Sequence, residues 1–147
     1  MKLNPDCVRD VLLYLEEHLE FDPKAQNTRM NDLHWYKLYT NPDMLKNYSE
    51  NDIKYSIQKL YEADYIDAKI NSGAGGGWIM CHITDITWNG HDFLNTVRGQ
   101  TIWETTKTRA AKFSISSIRG MASIAIEVAK SIVTESDIIQ KIAENLT

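Results

Sequence analysis

Asn51, Lys54, Tyr55 and Gln58 recur at i, i+3, i+4 and i+7, so a helix through them carries two carboxamides, a phenol and an ammonium on one face. These groups suit nucleic-acid recognition. Asn and Gln can pair bidentately with an adenine edge, while Lys54 and Lys59 can meet phosphate oxygens. The competing reading is an ordinary solvated helix face.

Other reactive residue types form weaker constellations. Cys81, His82 and His91 have the right chemistry for a metal, but neighbouring strand residues 81 and 82 point to opposite faces and no second pair completes four ligands. Buried thiols and a hydrogen-bonded structural His91 account for them. The glycines at 73 and 75–77 are followed by Trp78 rather than by Lys-Ser/Thr, and they lead into a strand, whereas a phosphate cradle needs a helix N-terminus. No Gly-x-Ser-x-Gly elbow occurs, and neither cysteine has a basic neighbour in a recognisable signature. The expectation is a protein that is not an enzyme and needs no metal or cofactor.

The element that must position the 51–59 face has clear signals. Ser49 is a good N-cap, with Asp52 three residues on as the acid of a capping box. Ile53, Ile57, Leu60 and Tyr61 form an apolar stripe of helical period. After Asp64 the pattern becomes extended through Tyr65, Ile66, Ala68 and Ile70, reaches a glycine-rich tip at 71–77, and resumes as a strand over 78–83. Helix, strand, loose turn, strand is the layout of a recognition helix followed by a wing. No Lys or Arg lies in that wing between Asn71 and Ile83, so its tip reads as a plain hairpin.

Upstream, Asn4-Pro5-Asp6 starts a helix carrying Val8, Val11, Leu12 and Leu15 to about His18. Residues 19–40 are hard to read, and the dense stretch 33–39 fits either a strand or a buried helical turn. Asn41-Pro42-Asp43 repeats the cap–proline–acid start, giving a short second helix with Met44 and Leu45. Downstream, Thr87 caps a helix with Trp88, His91 or Phe93, Leu94 and Val97 facing inward, and Gly90 sits where that helix passes too close for a Cβ. Gly99 ends it and another helix runs over 101–112. Ile118, Met121, Ala125, Val128 and Ile132 step by three and four, a heptad seam for which a core helix docked on its own domain competes with a dimer interface, the further apolar residues Ile115, Ile124 and Ile126 favouring a partner chain. Thr134-Glu135-Ser136-Asp137 resembles a further cap, opening a separate last helix with Ile138, Ile139, Ile142 and Leu146.

Charge bears on the partner. The 147 residues carry a net charge of −4, and residues 49–87 hold three Lys/Arg against six Asp/Glu. Residues 98–119 are the basic stretch, with Arg98, Lys107, Arg109, Lys112 and Arg119. Most nucleic-acid binders place a basic face on the recognition unit, because counterion release supplies much of their affinity. No apolar run reaches the ~18 residues of a membrane span, no leader pattern precedes the first helix, and two cysteines make no disulfide framework. A cytoplasmic protein is expected.

Taken together, Val11-Leu12-Leu13-Tyr14-Leu15-Glu16-Glu17, Ile53-Lys54-Tyr55-Ser56-Ile57 with Ala63-Asp64-Tyr65-Ile66, Thr87-Trp88-Asn89-Gly90-His91-Asp92-Phe93-Leu94 and Trp103-Glu104-Thr105-Thr106-Lys107 resemble a family of small, functionally uncharacterised proteins. Its members come from phages and prophages of low-GC Gram-positive bacteria. The resemblance spans most of the chain and implies phage or prophage origin and a winged-helix-like body, with no catalytic residues to carry over. This chain departs at Asp64, a site often held by Gly, which requires Asp in a left-handed turn.

The reading is therefore α+β, mainly α: a winged helix-turn-helix body with a two-stranded wing over 1–98, and a C-terminal helical extension over 99–147. The expected function is DNA binding and transcription regulation through Asn51, Lys54, Tyr55, Gln58 and Lys59 on double-stranded DNA, as a cytoplasmic homodimer in the host cell, with no membrane partner. The alternative is an acidic interaction module that binds or inhibits a host protein.

Overall fold

Helix α1 (Pro5–His18) begins where Asn4 Oδ1 accepts the Cys7 N–H at 3.2 Å, with Pro5 at the first position where no donor is needed. A computed structural model describes residues 1–146 of the chain. After α1 come strand β1 (Leu33–His34) and the single-turn helices α2 (Tyr36–Tyr39) and α3 (Pro42–Leu45). Helix α4 (Glu50–Glu62) leads into the hairpin β2 (Ile66–Ser72) and β3 (Trp78–Ile86). Helices α5 (Trp88–Val97), α6 (Gln100–Lys112) and α7 (Ile118–Asn145) complete the order. The architecture is α+β and mainly helical.

The chain divides into two compact units, Met1–Leu94 and the residues from Asn95 onward, a division that falls inside α5. In the first unit, α4 packs on α1, α2 and β2. Val11, Leu12 and Leu15 of α1, Leu38 of α2, Ile53, Ile57 and Leu60 of α4, and Cys81 and Ile83 of β3 are all fully buried. In the second unit, α6 packs on α7, and Trp103, Thr106 and Ala110 are buried along one helix with Ile118, Met121, Ala125 and Val128 along the other.

Four expectations need correction. The hairpin is not a two-stranded sheet, because β1 adds to it in the order β1-β3-β2, all antiparallel, with Leu33 opposite Ile83 and His34 opposite His82. The ambiguous stretch 33–39 is thus both things in turn, two residues of strand and then one turn of helix. Second, the C-terminal region has no break at Thr134. Its hydroxyl donates back to the Lys130 carbonyl at 2.9 Å instead of capping, and α7 runs through for 28 residues. Third, Trp88 does not face inward and is 80% exposed. The buried positions of α5 are Gly90, Phe93, Leu94 and Val97, and Trp88 stands five residues before Phe93, roughly 140° round the helix. Fourth, Tyr61 lies at the edge of the α4 stripe and is half-exposed, while Ser56 is buried in its stead.

Candidate functional site

Helix α4 starts on a reciprocal capping box. The Asp52 N–H donates to Ser49 Oγ at 3.1 Å, and the Ser49 N–H donates to Asp52 Oδ2 at 3.3 Å. With Ile53, Ser56, Ile57 and Leu60 turned into the core, the opposite side of the helix is left to Asn51, Lys54, Tyr55, Gln58 and Lys59. Asn51 is exposed and the other four are half-buried.

The exit from α4 aims the hairpin back over this side. Asp64 adopts φ 60°, the left-handed conformation expected at that turn, and the Tyr65 N–H closes on the Leu60 carbonyl at 2.9 Å. The far end of the hairpin is tied to the same turn. The Thr87 hydroxyl donates to the Asp64 carbonyl at 2.6 Å and accepts the Gly90 N–H at 3.1 Å, while the Thr87 N–H donates to the Tyr65 carbonyl at 3.1 Å. At the tip, Gly76 takes φ 87° and the Gly73 N–H bonds the Gly77 carbonyl at 2.8 Å. Trp78 follows directly, and its ring lies 5.5 Å from Tyr61 and 5.8 Å from Trp35, centroid to centroid.

Helix, hairpin and β1–α2 junction thereby enclose an open cleft of about 260 Å³. Asn51, Lys54, Tyr55 and Gln58 line it from α4, Trp35 from the junction, Gly77 and Trp78 from the hairpin, and Met1 from the segment before α1. Four of the five residues expected to recognise a ligand therefore converge on one cleft, whereas Lys59 is not among its lining residues. Trp35 and Trp78 were not singled out from the sequence as site residues. Their signal was the density of aromatic side chains at 33–39 and a tryptophan placed immediately after the turn glycines. The Trp35 indole N–H is buried and has no hydrogen-bond partner among the described residues.

Both lysines of α4 are already engaged. Lys54 Nζ lies 2.7 Å from Glu50 Oε1 and 4.4 Å from the centre of the Tyr39 ring. Lys59 Nζ lies 2.7 Å from Glu62 Oε2, and that hydrogen bond holds its pKa above the usual lysine value. In the hairpin, Lys69 pairs with Asp32 at 3.6 Å. Residues 1–94 carry nine Lys/Arg against fifteen Asp/Glu.

The other sequence-derived groups fall elsewhere. Burial pushes the Cys81 thiol up to about 12 and the Cys7 thiol up to about 11. His82 stands beside His34 across the β1–β3 pair, ring centroids 4.6 Å apart; desolvation first and then the His82 charge hold His34 below the usual histidine value. Among the described residues, no three His, Cys, Asp or Glu side chains are grouped to hold a metal ion. Of the five seam residues, Ile118, Met121, Ala125 and Val128 are buried within this chain and Ile132 is half-exposed. No described helix is long and apolar enough to cross a membrane.

No solved structure matches this chain. An uncharacterized protein of Haemophilus influenzae is 25% identical over 130 residues, covering 86% of this chain and 96% of that protein. Residues 2–116 match the family described as Hypothetical protein (DUF2513), and the chain belongs to that family.

Proposed function

We propose that this is a non-enzymatic winged-helix module of phage or prophage origin whose α4–hairpin cleft holds an extended segment of a host protein. The winged-helix reading is supported by the order helix, short strand, short helices, long helix, hairpin, with the short strand pairing with the second hairpin strand. The observation that carries the choice of partner is the pairing of Lys54 with Glu50 and Lys59 with Glu62 beside an aromatic cleft.

An exposed ion pair is worth less than about 1 kcal/mol, so phosphate could take either lysine from its partner. The carboxylates stay behind, however, and α4 carries Glu50, Asp52 and Glu62 against two lysines. Each phosphate would be approached together with uncompensated acid, in a unit with an excess of acidic residues. A polypeptide suffers no such penalty. Its backbone can pair with the Asn51 and Gln58 carboxamides, and an aromatic or aliphatic anchor can pack against Trp35, Tyr55 and Trp78.

Selection of displayed random peptides on the full chain tests this. The expected result is a family of peptides with a large apolar anchor, lost on Trp78→Ala and weakened by Gln58→Ala. Failure to enrich any sequence, or enrichment indifferent to both substitutions, contradicts it. Duplex DNA remains the second reading, favoured by the exposed Asn51 carboxamide on a helix followed by a hairpin. It predicts a mobility shift that weakens steeply with salt and is reduced by Lys54→Ala on every sequence.

A further inference from the structure

The buried seam of α7 does not stop where its cover stops. Ile118, Met121, Ala125 and Val128 are buried in the helical hairpin with α6, and the same alternation of three and four continues through Ile132, Glu135, Ile139, Ile142 and the cap residue Leu146. Ile139 is 67% exposed, Ile142 54% and Leu146 83%. One heptad phase therefore runs the length of a 28-residue helix, covered by the chain's own helix in its first half and open in its second.

We infer that the distal half of α7, from Ile132 onward, pairs with the same segment of a second copy of this chain. Three features choose that occupant. The open positions are in phase with a seam that already accepts a helix, so the surface is shaped for another helix with three-four spacing. The positions flanking it, Ser131, Ser136, Ile138 and Ala143, are uncharged, so two identical segments meet without like-charge contacts at their edges. Lys130, Asp137, Lys141 and Glu144 alternate in sign on the opposite side, unlike the cationic polar face that favours a bilayer surface. The segment spans about 22 Å, four turns, and a twofold dimer is the commonest arrangement among soluble homo-oligomers. Glu135 is the one acid in the seam and sets the register at a cost in affinity.

Sedimentation equilibrium of the full chain decides the matter. The expected result is a reversible dimer at micromolar concentrations. The double substitution Ile139→Glu and Ile142→Glu holds the chain monomeric with unchanged helical circular dichroism, since both side chains are exposed. Glu135→Leu tightens association by about tenfold. A monomer at high micromolar concentration, a dimer that survives the double substitution, association no tighter with Glu135→Leu, or α7-dependent binding to anionic vesicles by a monomer overturns the inference.

Discussion

Replacing Gly90 by Ala tests the joint that holds the hairpin against α4. A Cβ at that position would lie 2.1 Å from the Tyr65 carbonyl oxygen and 2.7 Å from Ile86 Cγ2. In an open helical site Gly→Ala would stabilise by about 1 kcal/mol through helix propensity. Here the sign reverses, because the first obstacle is backbone. Relief requires the start of α5 to move off the turn at Asp64–Tyr65, which also strains the Thr87 N–H bond to that same carbonyl. Overpacking costs about 1–3 kcal/mol and a weakened backbone bond about 1 more, so the net loss is about 1–3 kcal/mol after the propensity gain. For a unit of this size that corresponds to a lowering of Tm by roughly 5–20 °C. Thermal melts by circular dichroism read it directly. Gly75→Ala is the control: a Cβ there meets nothing within 4 Å and the residue does not take a positive φ, so its effect stays below about 1 kcal/mol. Equal effects for the two substitutions, or a stabilised Gly90→Ala chain, would refute the close-approach reasoning.

Further outcomes follow from the same structure. Tyr48→Phe removes a hydroxyl that donates to Asp10 at 2.5 Å, tying α1 to the segment that precedes α4, and is expected to cost about 1–2 kcal/mol in urea unfolding. Alkaline conditions should destabilise the fold. Cys7, Cys81 and Tyr48 are all held above their ordinary values, first by burial, so their contribution is complete below pH 9 and is lost as pH rises toward about 11 for Cys7 and about 12 for Cys81. Urea midpoints taken below pH 9 and near pH 11 should therefore fall with pH, and a flat profile would contradict the buried-thiol assignment.

The parts of this fold that sequence made legible are those with local signals. Ser49 and Asp52 close their box within four residues, Asn4-Pro5 and Asn41-Pro42 start their helices, and the tight spot at Gly90 stands in the tract after Thr87; the left-handed turn at Asp64 came from the family resemblance instead. What escaped was decided by distant partners. Strand β1 is two residues long, too short for an alternation pattern, and exists because β3 accepts it. Thr134 has the residue type of a cap, yet the backbone of a continuing helix offered its hydroxyl an acceptor one turn back. Trp78 gave no sign of meeting Trp35, 43 positions earlier, since only the hairpin's return brings the rings together.

Side-chain NMR of the full chain tests most directly whether the α4–hairpin cleft is a seat for polypeptide. Addition of a cleft-selected peptide should move the Asn51 and Gln58 carboxamide signals and the Trp78 ring signals, while duplex DNA at low salt leaves all of them in place. Movement of the α4 signals by duplex DNA, with none caused by peptide, would contradict it and restore double-stranded DNA as the ligand of this face.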